Sequence, residues 1–403
     1  MKTKTIGAAL FLATAATVAL SPTWQSMATG NEPSPVPTPA EQPSWSQLHP
    51  RIEVVFVLDT TGSMAGLIQA AKEKIWSIAS TMASAEQAPQ IRMGLVAYRD
   101  RGDEFVTRVV DLSADLDAVY ATLLGFQADG GGDGPESVNQ ALHEAVHQLS
   151  WSQDPQTYKV VFLVGDAPPH MDYQDDVKYP QTLAAATARG IVVNAIQCGP
   201  EALTRQVWEQ IAALGGGHYF QVEQSGSAVA MSTPYDQALA KLSRLLDETR
   251  LYYGSGDQRQ EREQRLATAR ELYQHAPAAA LAGRAAFNAS ASGVANFSGE
   301  GELLSDLADG RVDLDALPEQ ELPRTLQALS PEVRSAEIAE TAARRQALQT
   351  QIESLGKLRE GYLQDQVRAM GGAKRSLDDQ IYAVIREQAA SKGLSYGADT
   401  PVY

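Results

Sequence analysis

Three stretches of the chain are apolar almost without a break: Ile52–Leu58 (IEVVFVL), Lys159–Val164 (KVVFLV) and Ile191–Gln197 (IVVNAIQ). A strand with one face in water alternates apolar and polar residues, whereas a strand covered on both faces does not. These runs therefore predict buried strands, and buried strands need helices on both sides. Ile91–Tyr98, Phe105–Leu112 and the short His218–Val222 read as further strands. Between them, helical periodicity runs from Met64 to about Met82 and over Leu116–Leu124, Ser137–Leu149, Tyr179–Arg189 and Glu201–Leu214. The alternation predicts an α/β fold of Rossmann-like type, with a mostly parallel central sheet and helices on both faces.

The character changes after about Tyr253. Residues 257–286 and 331–369 are rich in Ala, Glu, Gln, Arg and Leu, and Leu377–Ala389 reads as a last helix. Between the two long stretches lie a small-residue segment, Asn288–Gly301, and a stretch punctuated by Pro318 and Pro331. A mainly α-helical region is thus expected over 254–403, after an α/β domain over 51–253. Ile338, Thr341, Arg345, Leu348, Ile352, Leu355, Arg359 and Tyr362 recur at heptad spacing. Arginines at two seam positions favour an amphipathic helix packed on its own chain over an intermolecular coiled coil.

Ahead of the α/β domain, Lys2 and Lys4 precede an uncharged apolar run from Ile6 to Leu20, and Ser26-Met27-Ala28 is a small-x-small cleavage pattern. The run is shorter than the roughly 20 residues of a membrane span. Residues 1–28 therefore read as an export signal and 29–50, with six prolines, as an extended tether. The product expected is an exported protein, periplasmic or secreted, without an integral membrane span. The net charge is −16, or −18 once the two lysines of the signal are removed. Such a surface repels nucleic acid and anionic lipid. Cys198 is the single cysteine, which excludes an intrachain disulfide and a cysteine-built zinc or iron–sulfur site.

Three segments carry the chemistry. Asp59-Thr60-Thr61-Gly62-Ser63 follows the first strand and offers a carboxylate and two hydroxyls at positions i, i+2 and i+4. Asp129-Gly-Gly-Gly-Asp133-Gly-Pro-Glu136-Ser137 precedes a helix, and Gly165-Asp166-Ala-Pro-Pro-His170 follows the Lys159–Val164 strand. In open α/β sheets ligands sit at the carboxyl ends of strands. Ligands that are all oxygen suit a hard cation, Mg²⁺ or alternatively Mn²⁺ or Ca²⁺.

In these motifs residues 51–253 resemble a von Willebrand factor type A domain with a metal-ion-dependent adhesion site. Asp59, Thr61 and Ser63 match that family's Asp-x-Ser/Thr-x-Ser motif, and Asp166 matches its acidic residue after the fourth strand. The family's middle threonine has no direct counterpart, and its place falls on Glu136. Asp133-Gly-Pro-Glu136 is similar to the Asp-x-Pro-Glu of integrin β-subunit I-like domains, as is Asp166-Ala-x-x-His170. The resemblance implies Glu136 as third ligand, with Asp133 serving an adjacent metal or a supporting hydrogen bond. Met64-Ala65-Gly66-Leu67 lacks the acidic pair of the integrin's additional calcium site, so that site is not expected. The function implied is metal-dependent protein binding of an adhesion or scaffold kind, without catalysis, toward a partner that presents an acidic residue to the ion. In an alternative reading the helical C-terminal region does the binding.

One motif points elsewhere. His143-Glu144-Ala-Val-His147 has the His-Glu-x-x-His spacing of zinc proteases. On a helical wheel Ala141, Leu142, Ala145, Val146 and Leu149 form the apolar stripe, and the two histidines fall on the opposite side, facing solvent. A surface histidine pair is the expectation. Asn288-Ala-Ser290 and Asn296-Phe-Ser298 match glycosylation sequons by pattern alone.

Overall fold

The computed structural model describes residues 50–132, 134–224, 231–369 and 377–397. The expected export signal, the tether up to residue 49, and Asp133 lie outside them. Six strands form one sheet: β1 (Arg51–Asp59), β2 (Gln90–Tyr98), β3 (Thr107–Ser113), β4 (Tyr158–Gly165), β5 (Ile191–Cys198) and β6 (Gly216–Val222). Their order is β3-β2-β1-β4-β5-β6, and only β3 runs antiparallel, at one edge. The chain fills one side of β1 first and then crosses to the other. The topological switch lies between β1 and β4, and their carboxyl ends frame the crevice where such sheets bind ligands.

Alternate residues of β1 enter two cores. Ile52, Val54, Phe56 and Leu58 pack with helices α1 (Ala65–Ala83) and α2 (Leu116–Gly125). Val55 and Val57 pack with α3 (Val138–His147), α4 (Tyr179–Ala188) and α5 (Ala202–Leu214). The uninterrupted apolar runs are explained by this double cover. β3 begins two residues later than the apolar pattern suggests. Phe105 lies ahead of the strand, with its ring beneath the guanidinium groups of Arg99 and Arg108, 4.5 and 4.1 Å from its centroid.

The described residues beyond the sheet are mainly helical: α6 (Asp236–Asp247), α7 (Gly256–His275), α8 (Ala278–Ala289), α9 (Ala291–Ser298), α10 (Leu303–Ala308), α11 (Pro331–Ala369) and α12 (Leu377–Ala390), with short turns between α10 and α11. The described residues belong to one compact unit. Leu348 and Ile352 of α11 pack on Leu239, Ala282, Ala285 and Phe297, so this helix does pack on its own chain. Both seam arginines are ion-paired: Arg345 with Glu302 at 2.8 Å and Arg359 with Asp236 at 2.8 Å. Arg284 of α8 is fully buried and joins the two parts of the molecule. It donates to Asp117 of α2 at 2.6 and 2.5 Å, and to Asp247 of α6 at 2.9 and 3.0 Å.

In the small-residue segment, a Cβ on Gly293 would stand 1.7 Å from the Phe287 carbonyl oxygen, so only glycine permits so close a turn from α8 into α9. Both sequon asparagines are buried, and the Asn296 amide donates to the backbone of Ile91 and Ala114. Finally α12 returns to the sheet. Ile381, Ile385 and Ala389 enter the same core as Ile52 and Phe56, and Gln388 exchanges hydrogen bonds with Asn194 and accepts one from the Tyr158 hydroxyl.

Candidate metal centre

The parallel register places Leu58 opposite Val164, so Asp59 and the loop after β4 emerge side by side. Asp59 is fully buried. Its Oδ1 accepts from the Thr61 amide at 2.9 Å and the Thr61 hydroxyl at 2.6 Å, and the Thr61 Oγ1 lies 3.4 Å from the Ser63 Oγ. Its Oδ2 is buried with no hydrogen-bond partner. Through Thr61, the i, i+2, i+4 spacing links the Asp59 carboxylate and the Thr61 and Ser63 hydroxyls in one line of contacts.

The glycine loop is laced onto this turn by backbone bonds, Asp129 N to Thr60 O at 3.1 Å and Gly62 N to Gly130 O at 3.1 Å. Gly131, at φ +78°, stands between Thr61 and Glu136. A Cβ there would lie 3.1 Å from the Thr61 Cβ and 3.2 Å from the Glu136 Oε1. Glu136 is held by its own backbone. Its amide donates to the Pro168 carbonyl at 2.9 Å and its carbonyl accepts from the His170 amide at 3.1 Å. Its side chain is buried, and Oε2 has no partner. Asp166 is half-buried; its Oδ2 accepts from the Gln224 amide at 2.6 Å and its carbonyl from the Thr204 hydroxyl at 3.1 Å.

Four participants escape sequence reasoning. Tyr98 closes β2 with a buried, unpartnered hydroxyl, and a Cβ on Gly165 would come within 2.4 Å of it. Arg99 donates to the carbonyls of Thr60 at 3.2 Å and Gln127 at 2.9 Å, fixing both loops without meeting their carboxylates. Asp103 accepts from the Gly131 amide, and Gln224 holds Asp166. The single cue in the sequence is Tyr98-Arg99-Asp100 ending a strand at the same edge as Asp59.

Burial pushes the Asp59 carboxyl up to about 7; the Thr61 hydrogen bonds oppose this and the charge of Asp166 adds to it. Glu136 is pushed up to about 9, by burial first and then by Asp59, Asp100, Asp103 and Asp166. Burial and the three carboxylates Asp59, Glu136 and Asp166 raise the Tyr98 hydroxyl well above its ordinary value. A positive charge among these groups relieves both causes. Among the described residues no three His, Cys, Asp or Glu side chains form a metal cage by themselves. The donor set here instead mixes carboxylates with the Thr61 and Ser63 hydroxyls, all oxygen, which fits a hard cation.

His143 and His147 stack with centroids 4.3 Å apart; His147 is exposed, and its Nδ1 lies 3.0 Å from the His143 carbonyl oxygen. Glu144 is buried and accepts from Gln140 at 3.0 Å, while Ala141, Leu142, Ala145 and Val146 face the sheet. Cys198 is buried in the core beneath the loops, where burial raises its thiol well above the usual value.

Residues 53–224 match the family model of the von Willebrand factor A domain, and the six-stranded α/β part has that type of fold. An ariadne-like RING finger protein of Acanthamoeba polyphaga mimivirus is 25% identical over 119 residues, which cover 30% of this chain and 11% of that protein. Among solved structures, proximal thread matrix protein 1 from the mussel byssus is 17% identical, covering 44% of this chain and 42% of that one, at a TM-score of 0.34. The SpRpn10 VWA domain is 12% identical, covering 43% of this chain and 88% of that one, at a TM-score of 0.33. The chain thus spans about a tenth of the curated relative and under half of the mussel protein.

Proposed function

We propose that this is an exported, non-catalytic protein-binding module that holds Mg²⁺, or Mn²⁺ or Ca²⁺, through Asp59, Thr61, Ser63, Glu136 and Asp166. One observation carries the reading: the Asp59 Oδ2 and the Glu136 Oε2 are buried without partners at the carboxyl end of the sheet, beside a third carboxylate and two hydroxyls. Buried carboxylates normally have a counter-charge, and two without one mark a place for a cation. Asp133, outside the described residues, belongs to the same glycine loop and serves as an adjacent ligand or a support. When bound, the ion supplies a coordination position that a partner's carboxylate can complete, as the integrin-like motif implies. Arg99 and the Glu136 backbone bridge hold the three loops in register around that position. Export rests on the pattern of residues 1–28.

The test is calorimetric titration with Mg²⁺. Wild type should bind, and its thermal midpoint should rise with added ion in proportion to occupancy. Asp59→Ala should abolish both responses. Equal Mg²⁺ affinity in wild type and variant would refute the assignment.

A further inference from the structure

The described residues of the six loops at the carboxyl end of the sheet, 59–64, 99–106, 126–137, 165–178, 199–202 and 223–224, include twelve acidic residues and three basic ones. Nine of the chain's sixteen net negative charges thus lie in little more than a tenth of its length. All three cations are engaged within the loops. Arg99 is buried on backbone carbonyls. Arg101 pairs with Asp175 at 2.9 Å and Asp176 at 2.7 Å and lies over the Tyr173 ring. The Lys178 ammonium donates to the Tyr173 carbonyl. One divalent ion offsets only two of the charges. Two further features bear on what this end recognises. The unpartnered Asp59 and Glu136 oxygens lie buried at this end of the sheet, and Met171 of the 165–178 loop and Leu203 in the first turn of α5 are 49% and 57% exposed.

We propose that this end of the sheet is the docking face for a basic protein segment, rich in Lys or Arg and carrying apolar side chains. The proposal rests on the loop end being a cation-dependent protein site and adds the chemistry of the partner. Any carboxylate the partner offers to the ion is then set in a positively charged surround, because an acidic surround meets uncompensated repulsion from the rim. Complementary charge of this kind steers encounter and selects among partners. The exposed Met171 and Leu203 call for apolar contact, which a protein segment supplies and a small polyamine does not.

The experiment compares a short Lys/Leu peptide with its Glu/Leu counterpart on the full chain in Mg²⁺, by fluorescence anisotropy. The Lys/Leu peptide should bind and the Glu/Leu peptide should not. Affinity should fall about tenfold or more toward about 1 M salt, where the Debye length shrinks to about 3 Å. Reversing the rim charges with Glu104→Lys and Glu223→Lys should weaken binding, while Glu319→Lys, exposed on the helical region, should leave it unchanged. Tighter binding of the Glu/Leu peptide, or an equal loss in Glu319→Lys, would overturn the proposal, the latter by revealing attraction to overall charge alone. Mg²⁺ titration without peptide reports on the cation site separately. If Mg²⁺ binds and the Lys/Leu peptide does not, the docking proposal fails and the metal reading stands. If Mg²⁺ does not bind, the metal reading fails and this proposal falls with it.

Discussion

The helical region and the loop end of the sheet both bury carboxylates, and they do so in opposite ways. Asp117 and Asp247 share Arg284, Glu302 meets Arg345, and Asp236 meets Arg359. Burial pushes the Asp117 carboxyl up, but the charge and hydrogen bonds of Arg284 outweigh it, and the group sits below the usual carboxylate range. Glu302 is held low in the same way by Arg345. At the loop end Asp59 and Glu136 face other acids, and the nearby Arg99 is turned to backbone carbonyls. A buried acid with its counter-charge built into the chain is architecture. A buried acid without one is, in the function proposed above, the place for a cation from outside.

The largest expected effect lies on the paired side. Arg284→Met should destabilise the protein by about 3–5 kcal/mol in chemical denaturation, because it leaves Asp117 and Asp247 buried without their cation. Metal affinity should change little, since the substitution lies outside the loops.

The second test uses pH, where the two regions have opposite signs. Asp117 and Glu302 have lowered folded values, so their contribution is present above the ordinary carboxylate range and is lost as pH falls. Asp59 and Glu136 have raised values, so the metal-free fold binds more protons than the unfolded chain there. That contribution is complete below the ordinary carboxylate value and is lost as pH rises through about 7 and about 9. Thermal midpoints in EDTA should therefore fall on both sides, and Mg²⁺ should flatten the alkaline side only. An alkaline side unaffected by Mg²⁺ would separate the carboxylates from the ion.

Smaller still, Glu136→Gln should weaken Mg²⁺ binding by about 1.5 kcal/mol, about tenfold, as it removes one charged oxygen and keeps the shape. Asp133→Asn should weaken it less, because in sequence Asp133 stands among glycines, three residues further than Glu136 from the start of the following helix; the reverse order in calorimetry would make Asp133 the ligand. The least effect, about 1 kcal/mol or below, is expected for Gln224→Ala, which frees the Asp166 Oδ2 from a neutral hydrogen bond. Its Mg²⁺ affinity, measured beside that of Glu136→Gln, separates orientation from charge.

The sheet was legible because β1, β4 and β5 are covered on both faces, which writes uninterrupted apolar runs into the sequence. The Asp59 turn was legible because its three oxygens lie within five residues. What stayed hidden depends on contacts far apart in the chain. Tyr98 reads as one more apolar residue of β2 until the fold brings its hydroxyl beneath Asp59 and Glu136. Arg345 and Arg359 stood out as seam positions of the wrong type. Their partners Glu302 and Asp236 lie 43 and 123 residues away, beyond any local pattern. Glu136 was found through resemblance, but the bridge that fixes it to Pro168 and His170 has no trace in its own neighbourhood.

The return of α12 to the sheet has a consequence for the order in which the molecule can be made. Gln388 meets Tyr158 across 230 residues, and Ile381 and Ile385 complete a core begun by Ile52. A ribosome delivers β1 before α12, so this core stays incomplete through the synthesis of nearly everything between them. Contacts of such separation also form slowly, because a long loop must close before they are gained. The folding transition should therefore wait for residues 377–396. A nascent chain arrested ahead of them would leave the part of this core that α12 covers exposed, the kind of surface that chaperones bind.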